Sequence, residues 1–288
     1  MIVPAPEYRD FVLGQWLDWR REGKRCALLT LVATHGGSPR PVGSQMAVCE
    51  DGRNVGLISG GCIEKALVLD AIAAIERGEN HVERYGEGSR FKDLRLPCGS
   101  GIDIHFDVGL GGEAVEAVVA QVQARQEAVL ETGGLRRVYP PALRLIVVGQ
   151  GPIMTSTLQF AAALEMEPVA YSPDLDTLEV LRGLGFAALA LEAYGEATFD
   201  RHTAVLTLFH DHDHEADILA RAVRSEAFYI GALGSRRAQA VRLDRLAVMG
   251  VGDAEMRIHG PVGMDIGAKT PPEIALSALA EIVQCYRR

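Results

Sequence analysis

The sequence has little cysteine, no long apolar run and no excess of basic residues. Its five cysteines among 288 residues include no C-x-x-C pair, which argues against a disulfide framework and for a reducing compartment. No apolar stretch approaches the roughly 18 residues that a bilayer-spanning helix needs. The first eight residues lack the basic and apolar regions of a signal peptide. We therefore expect a cytoplasmic protein with no membrane partner.

Basic residues are outnumbered, since 29 Lys and Arg face 38 Asp and Glu and the formal net charge is −9. A non-specific nucleic-acid binder needs a basic stripe, and none is evident, so we expect no nucleic-acid partner. The hydrophobic fraction of 48% and the charged fraction of 23% are ordinary for a globular protein. At ~100–200 residues per domain, the length predicts two domains.

Residues 1–110 are predicted to form an α+β domain. Two apolar segments, Gln45–Cys49 and Asn54–Ile58, flank Asp51-Gly52, a dipeptide typical of a hairpin turn. Hydrophobic spacing predicts the remaining elements. These are helices at Glu7–Gly23 and Cys62–Arg77, and strands at Cys26–Ala33 and Ile102–Val108.

Residues 111–140 are predicted to be a helical connector. Glu113–Thr132 is rich in Ala, Val, Gln and Glu, a composition that on balance favours a helix. Because a Gly-Gly pair stands on each side, we expect the helix to begin and end there.

Residues 141–288 alternate between strand and helix patterns. Leu143–Val148 is a continuous apolar run of the kind found in central parallel strands, and a helical pattern follows over Ile153–Leu164. Further strands are predicted at Pro168–Tyr171, Ala187–Leu191, Ala204–Phe209 and Phe228–Ile230. The alternation predicts a Rossmann-like, doubly wound parallel sheet, so the fold class of the chain is α/β.

Gly149 and Gly151 follow the first strand of this half and open a helix. The first glycine permits a tight turn, and the second lets backbone amides approach a phosphate. Asp174 follows the next predicted strand, where an acceptor for a ribose hydroxyl would lie. Met154 stands where a dinucleotide fingerprint has its third glycine. The pattern therefore indicates either a phosphate-binding turn or a glycine turn that holds no nucleotide.

Two cysteines lie among glycines. Gly60 and Gly61 precede Cys62 at the predicted start of a helix, where the helix dipole favours a thiolate. Cys98 lies in a second glycine-rich segment. Each thiol is either a soft ligand or nucleophile in a close-approach loop, or a small buried residue near a turn. The other cysteines lie in apolar or terminal contexts and are predicted to pack: Cys26, Cys49 and Cys285.

His210, His212 and His214 alternate with acidic residues after a predicted strand. This density of imidazole and carboxylate groups suggests a metal site. The i,i+2 spacing, however, does not keep all three histidines on one side of a helix. An N-cap supplied by Asp211 or Asp213 is the alternative.

Ser235, Arg236 and Arg237 follow a predicted strand and a glycine. Two arginines beside a glycine turn suit phosphate recognition, because guanidinium groups bind phosphate oxygens in pairs. The alternative is a solvated basic first turn of a helix.

A further glycine loop, Gly260–Ala268, precedes Thr270-Pro271-Pro272-Glu273. The Thr-x-x-Glu spacing, with proline at the first helical position, predicts a capping box. The capping residues need no functional explanation, whereas the loop before them invites one.

Taken in order, these motifs resemble the XdhC/CoxI family, the accessory factors of xanthine dehydrogenase and related molybdenum hydroxylases. The resemblance runs from about Ala33 to Val283. The segments that carry it are His35–Met46, Leu57–Glu64, Cys98–Ile104, Ile146–Gly151, Thr207–His214, Tyr229–Arg237 and Gly260–Ile274. The chain departs mildly from the family pattern at His35–Ser38, where many relatives have threonine followed by Gly-Ser-Ser, and at Leu96–Gly101.

The resemblance implies an XdhC/CoxI domain followed by a Rossmann-like domain in a homodimer. It implies a chaperone rather than an enzyme with turnover. Such a chaperone binds the molybdenum cofactor, as molybdopterin or its cytosine dinucleotide form, protects it while its terminal sulfur is installed, and delivers it to an apo-hydroxylase. The implied partners are a cysteine desulfurase and an apo molybdenum hydroxylase similar to xanthine dehydrogenase.

The resemblance and the motifs together give one set of candidate cofactor-binding residues. Cys62 would contact the molybdenum or its transferable sulfur, and glycine backbone with arginines would bind the phosphate end. The set is Gly60, Gly61, Cys62, Cys98, Gly149, Gly151, Asp174, Ser235, Arg236 and Arg237.

Three other functions stay open at this point. An NAD(P)-dependent oxidoreductase would use the Gly149–Gly151 turn with Asp174, although no catalytic Tyr/Lys or His/Asp pair is evident. A metal-dependent hydrolase would be built on the three histidines at 210, 212 and 214. A nucleotide-sensing module would regulate partner assembly without binding a pterin.

Overall fold

The structure is a computed structural model of the chain, and it describes residues 10–38, 40–89, 101–209 and 215–288. The chain divides into two compact units, Met1–Pro141 and Ala142–Arg288. Within the described ranges, every helix is too short or too polar to span a bilayer.

The first unit contains a five-stranded antiparallel sheet, in the order β3-β2-β1-β5-β4, and a separate two-stranded hairpin, β6-β7. Its elements are α1 (Leu13–Arg21), β1 (Cys26–His35), β2 (Gln45–Cys49), β3 (Asn54–Gly56), α2 (Glu64–Arg77), β4 (His81–Gly86), β5 (Gly101–Asp107), α3 (Gly112–Gln123), β6 (Ala128–Thr132) and β7 (Leu135–Tyr139). The predicted hairpin around Asp51-Gly52 is confirmed as the β2-β3 connection.

The sheet of the first unit is buried on both faces. Successive side chains of β1 point to opposite faces and so enter two different hydrophobic cores. Leu29 and Leu31 pack with α2 on one face. Cys26 and Leu28 pack with α1, α3 and the β6-β7 hairpin on the other. This double burial explains why the segment reads as a nearly continuous apolar run.

The predicted connector helix over Glu113–Thr132 is wrong in its second half. Helix α3 ends at Gln123, and the left-handed backbone at Arg125, with φ of 62°, turns the chain back. From Ala128 to Thr132 the side chains alternate between buried and exposed, a period of two that a strand satisfies and a helix does not. Packing of this alternating face overrides the helix-forming residues at its start.

The second unit is a six-stranded parallel sheet in the order β10-β9-β8-β11-β12-β13. Its elements are β8 (Arg144–Gly149), α4 (Pro152–Ala163), β9 (Glu167–Ser172), α5 (Leu175–Gly183), β10 (Ala187–Ala190), a 3-10 helix (Leu191–Glu196), β11 (Thr203–Leu208), α6 (Glu215–Val223), β12 (Tyr229–Ala232), α7 (Arg236–Val248), α8 (Ala254–Arg257), β13 (Ile258–His259) and α9 (Pro271–Tyr286). In chain order this is the arrangement 3-2-1-4-5-6 of the doubly wound dinucleotide-binding fold. The predicted Rossmann-like sheet is confirmed.

Strand order reverses between β8 and β11, which lie side by side with Gly149 opposite Leu208. Ligands of open α/β sheets bind outside the carboxyl ends of the strands at such a reversal. The predicted glycine turn therefore lies where this fold binds its ligands.

Candidate functional site

In the first unit, the antiparallel pairing brings several motif loops to one edge of the sheet. His35 ends β1 opposite Gly101, the first residue of β5. Gly56 ends β3 beside the start of β2. The loops after β1 and after β3 therefore leave from the same edge. Cys98 lies outside the described residues.

The loop that carries Cys62 is held by a buried carboxylate. Glu64 is 2% exposed and accepts hydrogen bonds from the backbone amides of Ser59, at 2.7 Å, and Ile58, at 3.2 Å. The Ser59 hydroxyl donates to the same carboxylate at 2.6 Å. Burial of a carboxylate is favourable only with such donors, so Glu64 fixes the loop that precedes its own helix.

Cys62 itself is exposed at the tip of this loop. Its backbone amide donates to the Ser59 hydroxyl at 3.1 Å. Gly60 and Gly61 have φ of 83° and 108°, and a Cβ on Gly61 would meet no atom within 4 Å. The interpretation of Cys62 as a small buried residue is thus wrong, and a ligand can approach the thiol from an open side.

Cys26 and Cys49 are buried, as predicted. They face each other across β1 and β2, and burial is the main cause that raises the pKa of Cys26 to about 12. A thiol that stays protonated and enclosed is a poor ligand or nucleophile. Cys285 is half-buried.

Two charged residues, Arg84 and Asp103, lie at the end of the sheet from which the motif loops leave, and they were not predicted from the sequence. Arg84 donates to Asp103 through Nε at 2.6 Å and Nη2 at 2.9 Å, and His35 Nε2 lies 3.0 Å from the same carboxylate. Hydrogen bonding from Arg84 is the main cause that lowers the pKa of Asp103 to about 2. No sequence spacing signals this cluster, because its members come from three different strands.

In the second unit, the two glycines of the predicted turn, Gly149 and Gly151, have different physical roles. A Cβ on Gly149 would lie 2.7 Å from the carbonyl oxygen of Leu208, whereas a Cβ on Gly151 would meet nothing within 4 Å. Gly149 thus permits close packing of β8 on β11, and Gly151, with φ of 82°, leaves open space on the side where a Cβ would stand. Met154 is fully buried in the core. Its side chain therefore fills the space between helix and sheet and does not block the turn.

A groove of about 400 Å³ lies beside this turn, lined by Gly151, Thr155, Asp174 and Thr177 among others. Asp174 is the N-cap of α5, and its carboxylate accepts from the Thr177 amide at 2.9 Å and hydroxyl at 2.5 Å. These bonds lower the pKa of Asp174. The Gly151 amide donates to the Thr177 hydroxyl at 3.2 Å. One oxygen of the predicted ribose acceptor is thus already used as a helix cap.

The predicted basic turn is exposed at the carboxyl edge of the same sheet. Ser235 is the N-cap of α7 and accepts from the Ala238 amide at 3.2 Å. Arg236 and Arg237 are solvent-exposed, and neither is paired with an acidic side chain in the described part of the chain. Exposed guanidinium groups at a helix start are suited to binding an anion.

The glycine loop before α9 is explained by packing. The side chain of Gln239 occupies the space that a Cβ on Gly260 would need, and the Ser277 hydroxyl does so at Gly263. The predicted capping box is confirmed, because Glu273 accepts from the amides of Thr270 at 2.9 Å and Lys269 at 2.8 Å.

Metal ligation by the histidine run is neither supported nor contradicted by the structure, because His210, His212 and His214 lie outside the described residues. Among residues 10–38, 40–89, 101–209 and 215–288, no three His, Cys, Asp or Glu side chains converge on a point where a metal ion would fit.

The fold and the two glycine loops define a protein with an α+β unit that presents an exposed thiol and a Rossmann-type unit that presents a glycine turn and a basic turn. A family model described as the XdhC Rossmann domain matches residues 145–282, and a model described as the XdhC and CoxI family matches residues 19–86. The chain belongs to the XdhC/CoxI family, which confirms the resemblance.

Individual proteins agree with this assignment. The chain is 33% identical over 281 residues to the molybdenum cofactor insertion chaperone PaoD of Escherichia coli strain K12, covering 90% of this chain and 83% of that protein. It is 24% identical to a probable xanthine dehydrogenase subunit of Bacillus subtilis strain 168, over 92% of this chain and 94% of that protein. A crystal structure described as a xanthine dehydrogenase from Bacillus halodurans superposes with a TM-score of 0.79 at 21% identity, over 96% of this chain and 95% of that chain. That structure supports the fold alone.

Proposed function

We propose that this protein is an accessory chaperone that binds the molybdenum cofactor, holds it during sulfuration and inserts it into an apo molybdenum hydroxylase similar to xanthine dehydrogenase. The relative with 33% identity over most of both chains is a molybdenum cofactor insertion chaperone, which supports this role. A cysteine desulfurase as sulfur donor, a homodimeric state and a cytoplasmic location belong to the same proposal.

The observation that carries the proposal is the exposed Cys62 thiol on a loop fixed by buried Glu64. A cysteine thiolate is a soft ligand, which suits a metal that is already held by the sulfur atoms of its pterin dithiolene. A thiol that is open to a ligand yet anchored through its own backbone loses little conformational entropy when it binds. Cys62 is therefore the residue we assign to the metal end of the cofactor.

The residues of the second unit fit the phosphate end. The open side of Gly151 admits a phosphate to the turn, and exposed Arg236 and Arg237 supply positive charge at a helix start capped by Ser235. Molybdopterin and its cytosine dinucleotide form share this phosphate, so the same residues serve either form.

Co-purification with the cofactor tests the proposal. The protein, expressed with an intact cofactor pathway, is expected to carry molybdenum and pterin in stoichiometric amount. Cys62→Ala should lose most of the molybdenum and fail to activate the apo-hydroxylase, whereas the control Cys285→Ala should match the wild type. Unchanged cofactor retention and unchanged partner activation in Cys62→Ala would eliminate the role of Cys62. Absence of pterin from the wild-type protein would refute the function itself.

The groove between Gly151 and Asp174 favours one second candidate, an NAD(P)-dependent oxidoreductase. The groove lies beside the turn after β8, where proteins with this strand order bind a dinucleotide. Against it, the Gly151 amide and one Asp174 oxygen already bond Thr177. Titration with NADH and NADPH, followed by fluorescence or calorimetry, separates the two functions, because saturable binding of either dinucleotide without bound pterin would favour the oxidoreductase.

A further inference from the structure

The second unit contains a buried ion pair that no sequence motif signalled. Glu215, at the start of α6, is 1% exposed and Arg242, in α7, is 4% exposed. Their contact is bidentate, with Arg242 Nε 3.1 Å from Glu215 Oε2 and Nη2 3.0 Å from Oε1. Such a pair gains little net stability over apolar side chains of the same volume, because both charges lose their water. The pair therefore matters for the positions of the elements that it joins more than for stability.

The pair connects three elements at the carboxyl edge of the sheet. Thr207, near the end of β11, donates its hydroxyl to Glu215 Oε1 at 2.8 Å. Arg242 Nη2 donates to the carbonyl oxygen of Leu233, just after β12, at 2.8 Å, and Nη1 donates to Gln239 at 2.5 Å. The bonds that Arg242 donates have fixed directions, because the guanidinium group is planar.

These bonds determine where the basic turn lies. Leu233 stands two residues before Ser235, the N-cap of α7. Between them, a Cβ on Gly234 would lie 3.0 Å from the Ala238 Cβ and 3.5 Å from Arg242 Nη2, so the turn packs directly on the arginine. Arg236 and Arg237 follow at once, and their backbone positions depend on this anchor.

We propose that Glu215 and Arg242 are positioning residues for an anion site formed by the Leu233–Arg237 turn, and that the anion is a phosphate or pyrophosphate group. Neither side chain touches the ligand, since both are buried. The inference rests on the proposed function, because it assumes that this turn binds the phosphate end of the cofactor.

Binding of inorganic pyrophosphate to the full-length protein, measured by calorimetry well below the melting temperature of each variant, tests the proposal. Arg242→Lys and Glu215→Gln are expected to weaken binding about tenfold, since they break the fork. Thr207→Val keeps both charges and should weaken it about threefold. Its matched control is Thr203→Val, because Thr203 is equally buried on the same strand and donates to Asp200 at 2.9 Å, but at the amino edge. Thr203→Val should bind as the wild type does even where its melting temperature falls.

The outcomes separate the two claims. Equal pyrophosphate affinity in Thr207→Val, Thr203→Val and the wild type would overturn the positioning role, whether or not the charge variants fold. Loss of affinity in Thr203→Val equal to that in Thr207→Val would also overturn it, because the effect would then follow general destabilisation. Unchanged affinity in the double variant Arg236→Ala/Arg237→Ala would show that the turn is not an anion site, and both the positioning role and the phosphate part of the proposed function would then fail.

Discussion

At the residue scale, the glycine turn after β8 shows that two identical residues can have opposite physical roles. Gly149 is required because a side chain would collide with the neighbouring strand, a matter of packing. Gly151 faces open space, so its left-handed backbone conformation is what requires glycine. Sequence spacing locates both glycines correctly, but only the contact of Gly149 with Leu208 on the neighbouring strand distinguishes their roles.

Alanine substitution should separate these roles. Gly149→Ala is expected to lower the free energy of unfolding by about 2–4 kcal/mol, because overpacking forces β8 and β11 apart. Gly151→Ala should cost only about 1–2 kcal/mol, from its left-handed backbone, while pyrophosphate or pterin binding falls. Chemical denaturation and calorimetry measure the two effects. Equal stability losses in the two variants would contradict the assignment.

The charged residues show where residue-scale prediction from sequence ends. Cys62, Gly151 and Arg236 were predicted because each belongs to a glycine-containing turn before a predicted helix, which is a local pattern. The pairs of Arg84 with Asp103 and of Arg242 with Glu215 join residues that are distant in sequence. Nothing in their local composition distinguishes them from exposed charges, so only the fold reveals them.

At the scale of elements, helix α9 begins with a capping box that is independent of any ligand. Hydrogen bonds from the amides of Lys269 and Thr270 lower the pKa of Glu273. A carboxyl group whose pKa is lower in the folded than in the unfolded state stabilises the fold above the unfolded value, which is roughly 4.3. That stabilisation is lost as the pH falls through the folded value.

Removing the box should therefore give a pH-dependent loss of stability. Thr270→Ala is expected to cost about 1 kcal/mol of unfolding free energy. Glu273→Gln should melt below the wild type near neutral pH, and the difference should shrink as the pH falls through the lowered pKa of Glu273 and vanish once the wild-type carboxyl is protonated as well. Thermal melts across this range are the measurement. The control Glu226→Gln, at an exposed glutamate of the same unit, should show no such trend, and a persistent difference for Glu273→Gln at low pH would argue against the mechanism.

Element prediction from sequence succeeded where a single period dominates and failed where two compete. Strands β8, β11 and β2 are mostly apolar and almost wholly buried, and they were located to within a residue or two. The segment Ala128–Thr132 contains helix formers in a strand alternation, and tertiary packing against α1 and α3 decides for the strand. Strand β4 was not predicted, because its six residues include three polar ones and a single buried side chain.

At the scale of the whole molecule, every hydrophobic core of the described residues draws on one unit only. The two cores on either face of the parallel sheet are made by residues after Pro141, and the two cores of the antiparallel sheet by residues before it. A domain with its own core and its own closed set of strands has what it needs to fold alone. The loop that carries Cys62 and the turn that carries Arg236 and Arg237 thus belong to units with separate hydrophobic cores.

Expression of residues 142–288 alone should test this independence. The fragment is expected to unfold in one cooperative transition, because both faces of its sheet are covered by its own helices. It should bind pyrophosphate with the dependence on Arg236 and Arg237 expected for the full chain, yet retain no molybdenum, since Cys62 is absent. Circular dichroism during denaturation measures the first property, and calorimetry with metal analysis measures the others. A fragment that melts without cooperativity would show that the core of the second unit depends on residues 1–141, and a fragment that retains molybdenum would move the metal end of the cofactor away from Cys62.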